Sequence, residues 1–122
     1  MNKGQTLVTL LLFMAIAIIV TSAATIVIFT NSLATSKFQD GITTYYIAES
    51  GAENAFLRLL RNPNYTGETL PVDSGSASIQ VTGTGTKIIT SIGTMGNFTR
   101  TVQIQATYAN NILTITSWKE VF

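Results

Sequence analysis

The sequence predicts an α+β chain, with one long N-terminal helix packed on a C-terminal antiparallel β-sheet of about four strands. Three observations carry that reading. No charged residue lies between Lys3 and Lys37. From there to Arg61 apolar residues recur at steps of three and four, the period of a helix with one buried face. Beyond Thr66 the period becomes two, with glycine- and asparagine-rich breaks that mark turns between strands.

Composition narrows the function before any element is placed. A chain of 122 residues has room for one small domain. Hydrophobic residues make up 46% and charged residues 11%, and the mean hydropathy is +0.35. The net charge of +1 provides no basic face, so nucleic-acid binding has no electrostatic support. There is no cysteine, which excludes disulfides and thiolate metal sites. There is no histidine either, which removes the commonest general base and metal ligand. The chain reads as a non-enzyme with no cofactor and no metal.

Residues 5–30 form the first element. A bilayer core of about 30 Å needs about 20 mostly apolar residues in helical form, and Leu7 to Phe29 supplies them. Thr9, Thr21, Ser22 and Thr25 interrupt the run, but each hydroxyl can bond to a carbonyl one turn back. A membrane anchor, a filament-core helix and a secretory signal ending near "TSAAT" are all compatible with this opening. The helical pattern runs on past the cleavage-like site, which argues against the signal peptide.

Residues 31–61 continue the helix as an amphipathic segment. Tyr45, Ala48, Ala52, Ala55, Phe56 and Leu59 share one stripe, while Ser50, Asn54, Arg58 and Arg61 face away. Arg58 and Arg61 stand in the last turn, where the helix dipole favours cations. Asn62-Pro63-Asn64 is a stop signal. An unbroken helix from Gln5 to Arg61 would be roughly 85 Å long at 1.5 Å per residue. Gly41 is its weakest point, at a cost of about 1 kcal/mol relative to alanine, and is the place for a bend or a local break.

Residues 62–122 hold the strands. "SASIQVT", "KIITSIG", "FTRTVQIQATYA" and "ILTITSWKEVF" are separated by Gly83 and Gly85, by "GTMGN" and by "ANN". In the third, Phe98, Val102, Ile104, Ala106 and Tyr108 alternate with threonines and glutamines. A small sheet with one apolar face is marginal alone, so it should bury that face under the helical stripe.

A short leader ending in Lys3-Gly4, an uncharged helix directly after it, an amphipathic continuation and a terminal sheet together resemble the type IV pilins and pseudopilins. The resemblance implies a leader of residues 1–4, cut by prepilin peptidase between Gly4 and Gln5 on the cytoplasmic side. It also implies N-methylation of Gln5. The opening "GQTLVTLLLF" departs from the usual "GFTLIELLVV" type. Gln5 replaces phenylalanine, and Thr9 stands at the fifth mature position, where major pilins carry a glutamate used in assembly. Ile26 occupies a position where a proline is frequent. "YYIAESGAENAFLRLLRNP" and "ITSIGTMGNFTRTVQIQ" are similar to segments of minor pilins of the PilX and general-secretion K type. The implied partners are other pilin subunits through the N-terminal helix, the peptidase, the pilus assembly platform and, before assembly, membrane lipid. The implied location is the cytoplasmic membrane in a single pass with its N-terminus inside, then an extracellular filament.

Each of these residues has a plainer reading. Lys3 is also an ordinary positive-inside determinant. Glu49 and Glu53, one turn apart, are the only paired carboxylates. Without a histidine or further acids they read as solvated, or as partners of Arg58, Arg61 or a neighbouring subunit. Asn64 and Asn97 begin glycosylation-type tripeptides, which occur often by chance. Tyr45, Tyr46 and Trp118 read as core or interface aromatics. The leading expectation is a filament subunit of minor or tip-like type. A major pilin and a single-pass protein with a tethered binding domain are the alternatives. A tethered domain usually follows a polar linker, and this chain has none.

Overall fold

The computed structural model describes residues 2–122. One helix, α1, spans Lys3–Arg61, and five strands follow: β1 Thr69–Val72, β2 Gly75–Thr82, β3 Thr86–Met95, β4 Phe98–Ala109 and β5 Ile112–Val121. The architecture is α+β. The strands form one antiparallel sheet in the order β1-β2-β3-β4-β5, each paired with its sequence neighbour. The chain divides after Lys37 into two compact units.

In the first unit the Leu7–Phe29 run of α1 is apolar on every side, and its side chains are exposed. Phe13, Ile19 and Ile28 are 71%, 67% and 70% exposed. This helix is long and apolar enough to cross a membrane. Its hydroxyls make that environment tolerable. Thr9, Thr21, Ser22, Thr25 and Thr30 each donate to the carbonyl four residues back, at 2.6–2.8 Å. A side-chain hydroxyl satisfied within its own helix asks nothing of lipid.

In the second unit the rest of α1 lies on the sheet. Its buried residues are Thr44, Ile47, Ala48, Gly51, Ala52, Ala55 and Leu59. The sheet answers with Ala77, Ile79 and Val81 from β2, Ile89 and Ser91 from β3, and Val102, Ile104 and Ala106 from β4. Strand alternation sets that face, because every second residue points the same way. The β4–β5 turn uses Asn110 and Asn111 at φ 52° and 63°, the left-handed pair that matches the twist of a two-residue hairpin.

Four expectations are corrected here. The sheet has five strands rather than about four, because Thr69–Val72 pairs with β2. At four residues including Pro71 it reads as loop, and a proline is admissible there because β1 is an edge strand. The "GTMGN" segment is mostly strand, since β3 runs to Met95 and only Gly96-Asn97 turns. Helix α1 continues through Gly41 without a break. The buried stripe is also rotated from the expected one. Thr44, Ile47 and Gly51 enter it, while Tyr45 and Phe56 are half-buried at its margin.

Candidate functional site

The residues singled out at the N-terminus lie in the first turns of α1. Lys3 and Gly4 open the helix, and Gly4 has no heavy atom near the position a side chain would take. The backbone N–H of Thr6 and its hydroxyl both bond to the Asn2 carbonyl, at 3.0 and 2.9 Å. Thr9 donates its hydroxyl to the Gln5 carbonyl at 2.8 Å. This bond leaves the lone pairs of the Thr9 oxygen free to accept from another donor. No acidic residue stands in the first turn, so nothing in that turn offsets positive charge at the dipole's positive end.

The two segments that carried the minor-pilin likeness pack on each other. Gly51 lies over Ser91 and Ala77, so closely that a Cβ there would collide with both. Gly93 lies beneath the helix, where a Cβ would stand 2.6 Å from the Ala48 nitrogen and 2.9 Å from its Cβ. Two glycines on opposite surfaces therefore bring helix backbone and sheet backbone together, with Ala48, Ala52 and Ala55 flanking the seam. One polar atom is trapped in it. Ser91 is fully buried, and its Oγ has no hydrogen-bond partner among the described residues.

At one margin of the seam stands a polar cluster. Arg100 lies on β4 in phase with Val102 and Ile104, on the face turned to the helix. It donates from Nε and Nη2 to the two carboxylate oxygens of Glu120, the latter at 2.9 Å. The guanidinium also lies 5.7 Å from the ring centre of Tyr45, within cation–π range. The hydrogen bond from Arg100 holds the Glu120 carboxyl below its ordinary range, and the same bond raises Arg100. Burial, with the negative charges of Glu49 and Glu120, pushes Tyr45 up.

At the opposite margin Glu68 gathers three donors. Arg58 Nε stands 2.9 Å away, Tyr65 donates its hydroxyl at 3.0 Å, and Asn54 donates at 3.3 Å. Burial, reinforced by the bond to Glu68, pushes the Tyr65 phenol up to about 12. Beside this cluster is an open depression of about 370 Å³ lined by Asn54, Leu57, Arg58, Arg61, Asn62 and Tyr65.

Helix and sheet bring neither Glu49 nor Glu53 to an arginine. Arg58 pairs with Glu68 instead, and among the described residues Glu49, Glu53 and Arg61 take part in no ion pair. Asn64 and Asn97 are exposed. Trp118 is 39% exposed on β5 rather than enclosed. Arg100, Glu120 and Glu68 are the residues that sequence reading missed. For Arg100 a signal existed, because it occupies an inward position in the β4 alternation and an inward charge needs a partner. Nothing in the pattern of β5 or of the β1 approach marks Glu120 or Glu68.

No protein-family model matches the chain, and no curated protein or solved structure matches it.

Proposed function

We propose that the chain is a structural subunit of a type IV pilus or related filament, cut by prepilin peptidase after Gly4, in a minor or tip-like position. One observation carries this reading. A single helix, Lys3–Arg61, supplies both an apolar segment of membrane-spanning length and the segment packed on the sheet, with no linker between them. A tethered binding module does not need that continuity, whereas a filament built around its subunits' helices does. The contact between the "AESGAEN" and "TSIGTMG" segments adds support, since both carry the likeness to minor pilins.

On this reading Lys3 keeps the N-terminus in the cytoplasm. Gly4 presents an unhindered scissile bond, and Gln5 becomes the methylated first residue. The subunit waits in the cytoplasmic membrane before joining other pilins at the assembly platform, then lies in the extracellular filament. Thr9 cannot form the ion pair that a glutamate forms with a neighbour's amino terminus, which favours a place with no such neighbour.

Intact mass of the chain from membranes and sheared filaments tests the proposal. Loss of residues 1–4 with one added methyl is expected, and Met1 retained in assembled material would overturn it. Gly4→Leu should block processing. Because position 4 opens onto free space, that block reports on the protease and not on the fold. Trace abundance against companion pilins supports the minor role, whereas repetition along the shaft makes the chain a major pilin. A processed chain absent from every filament fraction leaves the tethered module.

A further inference from the structure

The depression beside Glu68 lies in the second unit, where α1 ends and the chain turns toward β1. Its volume of about 370 Å³ is within the range of small-molecule sites. Arg61 and Asn62 line it, so the end of the helix forms one wall. That wall carries two kinds of polar group. The first kind donates. Glu68 engages Arg58 through Nε alone, which leaves both Nη groups of Arg58 open. Arg61 takes part in no ion pair among the described residues, so its whole guanidinium is open. Two cations against one carboxylate give the wall a net positive charge. The Arg58 guanidinium lies 5.9 Å from the ring centre of Tyr65, a cation–π contact that holds it in place.

The second kind accepts. The last carbonyls of any helix lack the next turn's donors, and here the local sequence withholds each substitute. The Leu59 carbonyl would take the N–H four residues on, but Pro63 has none. The N–H of Asn64, which would serve Leu60, goes to Asn62 Oδ1 at 3.1 Å. The N–H of Tyr65, which would serve Arg61, goes to the Asn62 carbonyl at 3.1 Å. A bare oxyanion would satisfy the arginines but meet these carbonyls at the negative end of the helix dipole. A neutral sugar would use the carbonyls and leave the guanidinium charge unanswered. An acid that carries hydroxyls answers both, and Leu57 and Tyr65 offer apolar wall to its C–H surface. We propose that the depression binds a hydroxylated carboxylate of sugar size, a uronic acid, with its carboxylate on Arg58 and Arg61 and its hydroxyls on the open carbonyls. Nothing in this site depends on the filament-subunit reading, since every residue of it belongs to the second unit.

Titration of the full-length chain with glucuronate, in a non-ionic detergent free of sugar, tests the proposal. Nuclear magnetic resonance should show saturable shifts centred on the amide signals of Asn54, Asn62 and Tyr65. Glucose and inorganic phosphate should each bind at least about tenfold more weakly, since each lacks one of the two contacts. A galacturonate trimer that binds more tightly than the single sugar would mark the ligand as part of an acidic polysaccharide. A trimer that binds no more tightly would mark it as a free sugar acid. Arg61→Gln should weaken glucuronate by about tenfold through loss of a charge-assisted contact. Lys119→Gln removes the same charge from β5 and should leave binding unchanged. Glucose or phosphate equal to glucuronate would overturn the assignment of a hydroxy acid. Arg61→Gln without effect, or matched by Lys119→Gln, would show charge attraction without a site. No saturable shift with any of the four probes would overturn the proposal outright.

Discussion

Replacing Gly93 with alanine tests the seam on which the second unit is built. The added Cβ meets the Thr44 carbonyl oxygen, the Ala48 nitrogen at 2.6 Å and the Ala48 Cβ at 2.9 Å. The first two are helix backbone and cannot rotate aside, so α1 has to lift from the sheet. Ordinary contact needs about 3.4–4 Å, and a lift of about 0.5–1 Å forfeits a quarter to a half of each facing dispersion contact. Ile47, Ala48, Ala52, Ala55 and Leu59 would all feel it. Overpacking usually costs about 1–3 kcal/mol, and a clash with backbone places this variant at the upper end, at about 3 kcal/mol. For a unit of this size that lowers Tm by about 12–24 °C. Near-ultraviolet circular dichroism and the fluorescence of Trp118 are the readouts, since the apolar part of α1 contributes neither tryptophan nor tyrosine. Gly85→Ala is the control. Nothing lies within 4 Å of its added Cβ, so it should change stability by no more than about 0.5 kcal/mol. A Gly93→Ala protein melting within about 2 °C of the parent would show that the helix is not seated there.

Three further outcomes follow from the same structure. Ser91→Ala removes a buried hydroxyl with no partner and should stabilise the second unit by about 1 kcal/mol, raising its melting temperature; a drop would reveal an acceptor or donor that Ser91 serves. The folded state holds the Glu120 carboxyl below its ordinary range, so its stabilisation is present above the unfolded pKa of about 4.3 and is lost as pH falls through the lower folded value. Glu120→Gln should therefore cost about 1–2 kcal/mol at pH 7, with the gap to the parent closing as pH drops below about 4; a gap unchanged across that range would refute the ion pair. A fragment beginning at Asn31 discards the segment that is apolar all round and keeps the compact unit from Phe38 onward; it should remain soluble and melt cooperatively, and an unfolded fragment would contradict the packing scheme.

The long helix and four of the strands were legible because their signals are periodic. Leu7 to Phe29 needs no partner to be recognised, and the alternation of Val102, Ile104 and Ala106 fixes the buried face of β4. What escaped depends on small residues and on pairs distant in sequence. Gly51 and Gly93 carry no hydrophobic weight, so a stripe drawn from large residues centres on Tyr45 and Phe56, which lie at the margin. The true face is rotated toward Thr44, Ile47 and Gly51, because the closest approach of two backbones occurs where side chains are absent. Arg100 and Glu120 are 20 residues apart, and only the β4–β5 register, which sets Glu120 opposite Val102, brings them together. Strand β1 was hidden by Pro71, which breaks the pattern that announces a strand while being harmless at a sheet edge.

The two units make different demands on their surroundings, and the difference bears on where specificity in assembly can reside. In the first unit each of the hydroxyls Thr9, Thr21, Ser22, Thr25 and Thr30 is satisfied by a carbonyl of its own helix. On the filament-subunit proposal such a segment could pass from lipid to a bundle of like helices without leaving these hydroxyls unpaired, but it would have little with which to select a register. A methylene surface packs nearly as well one turn higher or lower. Register needs groups for which a slip is costly, and the charges of α1 outside the sheet contact are such groups. Thr9→Glu therefore makes an informative test. It places a carboxylate inside the segment that now has none, where it is costly unless a neighbour's amino terminus meets it. If the subunit takes the tip-like place, where no neighbour's amino terminus meets position 9, Thr9→Glu should lower assembly in an otherwise native chain, measured as sheared filament. Sheared filament unchanged by Thr9→Glu would mean that a neighbour's amino terminus does meet the carboxylate, and would refute the tip-like place.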